Sequence, residues 1–224
     1  MYKKTIVRRT AEPIAINADW NKPVWRGIDP ITIDLHMGQE PSHRPLTQAK
    51  LAWDADNLYV IFRVEDRFVR AVADQHQQMV CQDSCVEFFF TPGNDIKTGY
   101  FNLEVNCIGT ILMYHQLARG QDKREIDSED LAQIKIAASL PQGQLIDPEI
   151  QNPTVWTVEY ALPWRMLQRY APVNAPAPGV GWRANFYKCA DQTSHPHWLT
   201  WSKIPLPNPD FHQPAYFGTL MFAD

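Results

Sequence analysis

Cysteine is scarce in this chain, with only Cys81, Cys85, Cys107 and Cys189 among 224 residues. A scaffold that depends on disulfides is far denser in cysteine than this. The Cys81/Cys85 spacing is not Cys-x-x-Cys, and no second pair completes a zinc knuckle. Buried free thiols are therefore expected, with a Cys107–Cys189 bridge as the alternative because both lie on predicted strands. Basic charge is not in excess either. The net charge is −4 and the pI near 6.0, so no cationic footprint points to nucleic acid or an anionic membrane. No apolar run is long enough to span a bilayer. The opening MYKKTIVRRTAEPIAI carries basic residues without the continuous apolar segment of a secretory signal. That reads as a cytoplasmic protein, or as a secreted or periplasmic one if a leader has been removed. There is no glycine-rich phosphate loop, no Gly-x-Ser-x-Gly elbow, no P-loop, no internal repeat and no low-complexity segment.

Helical patterning is weak as well. Only LPWRMLQRYAP (162–172) has an apolar i, i+3/i+4 pattern framed by prolines, which predicts one short helix. Alternation with a period of two dominates the rest. In NLYVIFRVED, Leu58, Val60, Phe62 and Val64 face one way and Asn57, Tyr59, Ile61 and Arg63 the other. SCVEFFFTP alternates Val86, Phe88 and Phe90 with Cys85, Glu87 and Phe89. YFNLEVNC alternates Phe101, Leu103 and Val105 with Asn102, Glu104 and Asn106, then turns at Ile108-Gly109 into IGTILMYHQ. Further strands are expected at 31–35, 46–53, AQIKIAASL, VWTVEYAL, GWRANFYKCAD and YFGTLMF, with loops at 116–130 and 140–153 and a proline-rich connection at 172–180. Hydrophobic residues make up 45% of the chain and charged residues 21%, enough to bury a real core. Some ten strands and 18 prolines predict an all-β chain: a single jelly-roll-like β-sandwich of two antiparallel sheets with one short helix, forming one domain over 1–224.

The faces of these strands turned away from the core are unusual. Asn102, Glu104 and Asn106 share one strand, Arg183, Asn185 and Tyr187 another, and Glu87 and Glu159 lie on two more. Planar groups that make paired hydrogen bonds replace the usual mixture of lysine and threonine. A solvated face with cross-strand Arg–Glu pairs is the plain explanation. The other is a polar floor for a polyol. A pyranose has hydroxyls around its rim and C–H patches on its faces, so amides and carboxylates suit the rim and an indole suits the face. Trp198 and Trp201, in the loop after the Arg183/Asn185 strand, are the candidate indoles.

Taken in order, ADWNKPVW, WDADNLYVIFRVED, QDSCVEFFFTPG, GYFNLEVNCIGT, WTVEYALPWRML, GWRANFYKCAD, WLTWSKI and FHQPAYFGTLMF resemble carbohydrate-binding module family 9, within the wider DOMON-like β-sandwich class. The resemblance runs from about Asp19 to Phe222. It implies a non-catalytic β-sandwich that holds a mono- or oligosaccharide between aromatic walls, in some members with structural calcium. On this chain it points to Trp201 and Trp198 as stacking residues. Arg183, Asn185, Tyr187, Glu87, Asn106 and Asp83 would be the polar ligand-binding set. No tryptophan occurs between Asp54 and Thr154, so the opposite wall would fall to Phe68 or another aromatic.

Other chemistries compete. Glu87, Glu104 and Glu159 could include the paired carboxylates of a glycoside hydrolase. His195 and His197 have a metal-ligand spacing that needs a third histidine from His76, His115 or His212. Asp54, Asp56 and Asp66 could hold calcium, although aspartate-rich turns also form through their own hydrogen bonds. Haem would need Met79, Met113 or His115 to pair, and no Cys-x-x-Cys-His is present. No cofactor is expected, structural calcium aside. The expected partner is a carbohydrate, without nucleic acid or membrane.

Overall fold

The structure, a computed structural model, describes residues 3–224. Its strands are β1 (Lys4–Arg9), β2 (Ile31–Thr32), β3 (Leu35–His36), β4 (Leu46–Trp53), β5 (Asn57–Asp66), β6 (Val69–Ala71), β7 (Cys85–Thr91) and β8 (Tyr100–Asn106). They continue as β9 (Ile111–Gln116), β10 (Arg124–Glu125), β11 (Lys135–Ala138), β12 (Ile146–Ile150), β13 (Thr154–Pro163), β14 (Gly181–Cys189), β15 (Trp198–Thr200) and β16 (Gly218–Ala223). Two one-turn α-helices, α1 (Pro23–Arg26) and α2 (Ser128–Leu131), complete the regular elements together with short 3₁₀ turns. No helix among the described residues is long and apolar enough to cross a membrane.

Two layers face each other. One is β9-β8-β7-β14-β16 and the other β4-β5-β13-β11, each built from antiparallel neighbours. β1 joins them at one edge, pairing in parallel with both β16 and β4, so the sandwich is a single sheet curled on itself. Strand parity supplies the core. Val86, Phe88, Phe90, Phe101, Leu103, Trp182, Ala184 and Phe186 from the first layer meet Leu58, Val60, Phe62, Val64, Trp156, Val158 and Tyr160 from the second. Phe88 and Phe186 stack at 4.9 Å between ring centres and Phe90 and Trp182 at 5.5 Å, burying large apolar areas in few rotamers.

Three expectations change, and the preferred reading of the cysteines as free thiols holds over the alternative of a bridge. The predicted helix at 162–172 is the end of β13, where Pro163 still pairs with Asn57, followed by a 3₁₀ turn at Met166–Arg169. Its apolar spacing serves to cap the core with Met166 and Leu167. The 140–153 stretch contains β12, paired with β6 through Ile146↔Ala71 and Ile150↔Val69. A two-stranded ribbon buries too little to show an apolar period. The 116–130 stretch contains β10 and α2. All four cysteines are free: Cys107 faces the central core and Cys189 the opposite side of its layer, so they cannot bridge. The Ile108-Gly109 hairpin between β8 and β9 forms as expected, with Gly109 at φ 87°.

Candidate functional site

The outer face of the first layer is the one the sequence marks as polar, and loops cover it. Residues 72–84 and 203–217 bring Val80, Ile204, Phe211 and Phe217, and the turn after β3 brings Met37, over Cys85, Phe89, Tyr100, Leu112, Tyr187 and Cys189. Between floor and loops remains a cavity of about 420 Å³. Register builds its floor row by row, because every second side chain on neighbouring strands stands on the same face. Leu112, Glu104, Glu87 and Tyr187 form one row and Tyr114, Asn102 and Phe89 the next.

Glu104 lies at the centre. Asn102 Nδ2 donates to Glu104 Oε1 at 2.9 Å, and Gln116 Nε2 donates to Asn102 Oδ1 at 3.2 Å. Gln116 also approaches His212 Nδ1 (3.2 Å), which accepts from the Tyr100 hydroxyl at 2.9 Å. The same His212 nitrogen faces two donors, so the ring's proton belongs on Nε2. Burial, aided by Arg119, lowers the His212 pKa to about 4 and keeps the ring neutral. Burial raises Glu104 to about 7, against the Asn102 amide, with Asp191 pushing the same way as burial. Glu87, directly across from Glu104, is pushed well above the carboxylate range by burial and by Glu104. Its Oε1 accepts from Cys189 Sγ at 3.0 Å, while Oε2 has no hydrogen-bond partner.

The walls are aromatic. Trp198 is half-buried and lines the cavity, its Nε1 held by Asp191 Oδ1 at 2.8 Å. Phe211 stacks on Tyr187 at 4.1 Å, and Tyr114 carries the Lys123 ammonium 3.6 Å from its ring centre. Arg119 and Asp210 pair at the rim at 3.1 Å.

Of the eight residues the sequence singles out, the cavity lining holds Glu87 and Trp198. Trp201 is instead 3% exposed, packed edge-on to Phe186 in the central core, so it cannot be a stacking wall. Gly218 makes room for it: a Cβ there would come within 2.5 Å of the indole. Arg183 donates to the carbonyls of Gly218 (3.1 Å) and Phe217 and holds the β16 approach. Asn185 is fully buried, its amide spanning Thr200 Oγ1, the Ser202 carbonyl and the Ser202 amide. Tyr187 lies beneath Phe211 and donates to that residue's carbonyl at 3.0 Å. Asn106 and Asp83 bond each other at 2.9 Å and anchor the 72–84 loop.

The remaining candidates also lie apart. Phe68 stacks on His195 (3.7 Å between ring centres) outside the cavity, so the second wall falls to Tyr114 and Phe211. Glu159 is on the other layer, accepting from the Asn17 and Ala18 amides, Lys22 and Trp25 Nε1. His197 is buried against Lys188 Nζ at 2.8 Å rather than joining His195 on a metal. Asp54 accepts from the Asp56 and Asn57 amides, and Asp66 binds His43 at 2.7 Å. Met113 and His115 lie away from the cavity that Met79 lines. Sequence reasoning placed Asn102 and Glu104 on the polar face without selecting them as ligand residues. Their parity with Glu87 is the signal that finds them. Nothing in the sequence ties Asp191, Phe211 or His212 to that face, because loops deliver them.

Solved structures share this fold. A candidate carbohydrate-binding protein from Bacteroides uniformis is 29% identical with a TM-score of 0.87, over 98% of this chain and 99% of that one. A carbohydrate-binding module family 9 from Caldicellulosiruptor kristjanssonii in complex with glucose is 14% identical with a TM-score of 0.64, over 98% of this chain and 95% of that one, which shows the shared fold. The same is true of the module in complex with cellotriose, where 93% of that chain is covered. No curated protein matches. The model of carbohydrate-binding family 9 matches residues 24–222, nearly the whole sandwich with its cavity, and the chain belongs to that family.

Proposed function

We propose that this chain binds a mono- or oligosaccharide without transforming it, in the cavity floored by Glu104 and Asn102 and walled by Trp198. One observation carries the reading: an accessible indole and a chain of buried hydrogen-bonding groups, Glu104–Asn102–Gln116–His212, share one space. A sugar ring needs both, hydroxyls meeting the carboxylate and amides while a C–H face covers the indole. The family 9 module bound to glucose and to cellotriose supports the class of ligand. Because hydroxyl contacts largely replace contacts with water, the affinity is modest, and stacking supplies much of it.

Hydrolysis fits less well. Glu87 and Glu104 are side by side on one floor, whereas a glycosidase sets its two carboxyls on either side of the scissile bond. Burial and the neighbouring Glu104 push the Glu87 pKa well above the carboxylate range, which disfavours the charged form a nucleophile needs.

The test is a panel of neutral mono- and oligosaccharides measured by calorimetry, with aryl glycosides assayed in parallel. Binding without turnover is expected, and Trp198→Ala should lower affinity by about 10-fold, the loss of roughly 1.4 kcal/mol. Silence across the panel, or unchanged affinity in Trp198→Ala, overturns the proposal.

A further inference from the structure

Beneath the groups assigned to the sugar lie three others that it does not use. Cys85 and Cys189 are directly paired across β7 and β14, and Glu87, two residues beyond Cys85, points to the same face. One ligating atom from each of the three lies within 4.8 Å of the others, a grouping unique among the described residues. All three are buried, with exposures of 0%, 2% and 1% for Cys85, Glu87 and Cys189.

Their hydrogen bonding is incomplete. Glu87 Oε2 is buried without a partner, a costly condition for a polar atom. The neighbouring cation does not remedy it: Lys188 Nζ donates to the Cys189 carbonyl (2.9 Å), meets His197 (2.8 Å) and lies 3.7 Å from Asp66 Oδ2. The cluster is not sealed from ligands: both Glu87 and Cys189 line the cavity.

We propose that Cys85, Cys189 and Glu87 form a site for a thiophilic divalent cation of the zinc class, with its fourth position open to the cavity. Two sulfurs and one oxygen suit zinc, whose bonds are about 2.3 Å to thiolate and about 2.0–2.2 Å to carboxylate, and small side-chain adjustments bring the three atoms to those distances. Calcium and magnesium prefer oxygen alone and are selected against. Binding replaces two thiol protons and one carboxyl proton, so three protons leave to solvent. The cation with three anionic ligands carries one net negative charge, and the buried Lys188 ammonium, which acts on both Cys85 and Glu87, offsets it. A water molecule from the cavity completes the tetrahedron.

Cadmium, which reports thiolate ligation by ultraviolet charge transfer, is the probe. Titrated into reduced, chelator-treated protein, it should give a charge-transfer band that saturates at one equivalent and is bleached by zinc. Cys189→Ser should abolish the band. Glu87→Gln, which keeps the shape and neutrality of the protonated acid, should weaken cadmium binding at least about 10-fold without lowering the melting temperature. Wild-type protein with no band at saturating cadmium overturns the proposal, as does a band that survives in the Cys85→Ser, Cys189→Ser double variant. Sugar titration of the same samples reads the cavity separately, so failure of either site is distinguishable.

Discussion

Trp198 and Trp201 stand three positions apart, and in extended chain an odd separation sends side chains to opposite faces. One indole therefore reaches the cavity and the other the core. Trp201 packs on Phe186 and on the bare backbone of Gly218, with no space into which neighbours could collapse. Trp201→Ala should cost about 3–5 kcal/mol of stability, read by urea denaturation, as expected for removing a fully packed aromatic. A loss below about 1 kcal/mol would show that the indole is not core. Trp198→Ala should do the reverse, costing affinity for sugar and little stability. The sequence carried this distinction in its parity, but two tryptophans beside a polar strand suggest a shared task more readily than a divided one.

At the scale of elements, one buried amide–carboxylate pair decides where a wall of the cavity stands. Asp83 accepts from the Val72 amide (2.9 Å), the Ala73 amide (3.0 Å) and Asn106 Nδ2 (2.9 Å). Asn106 in turn donates to the Ala73 carbonyl (2.8 Å) and accepts from the Ile108 and Thr110 amides. The 72–84 loop, which carries Met79 and Cys81 to the cavity, is thereby tied to the β8–β9 hairpin. Asp83→Ala strands three buried donors and should destabilise the fold by about 3–5 kcal/mol. Amide exchange should rise first across 72–84, and unchanged protection there would refute the anchoring role. Asp83 and Asn106 were legible as important but not as structural. Polar residues on alternating positions look alike whether they face a ligand or fasten a loop. The strands themselves were legible because their apolar faces alternate. The one-turn helices and the β12–β6 ribbon were not, since each buries too little to leave a period. That Glu159 lies on the other layer from Glu87 is not legible in the sequence, because sheet order is set by pairing across long sequence distances, as between Glu159 and Ile61.

Across the whole molecule, burial of titratable groups sets a response to pH. His197 is lowered to about 3, by burial first and the Lys188 ammonium second, and His212 to about 4. Unfolded histidines titrate near 6.5, so below that pH the unfolded chain takes up protons that the folded one refuses. Their stabilising contribution is therefore full above about 6.5 and is lost as pH falls toward the folded values. Glu104 and Glu87 act oppositely, since their folded pKa values are raised: they cost stability as pH rises from their unfolded value near 4.5. Between about 4.5 and 6.5 the two pairs oppose each other. Below 4.5 the glutamates are protonated in both states and drop out, leaving the histidines alone. Asp66 reinforces them, because Lys188 and His43 outweigh burial and hold its carboxyl below the usual range. Stability measured by urea denaturation should thus vary less with pH through the mildly acidic range than below pH 4.5, where it should fall by up to about 1.4 kcal/mol per pH unit for each titrating histidine. His212→Asn keeps an acceptor for Tyr100 but removes the proton site. It should change the slope chiefly between about pH 4 and 6.5, where the folded His212 refuses a proton that the unfolded chain takes up, so that stability there falls less with decreasing pH than in the parent. A slope between about pH 4 and 6.5 that is the same in that variant as in the parent would mean that His212 is already charged in the folded state, or too exposed for its burial to matter.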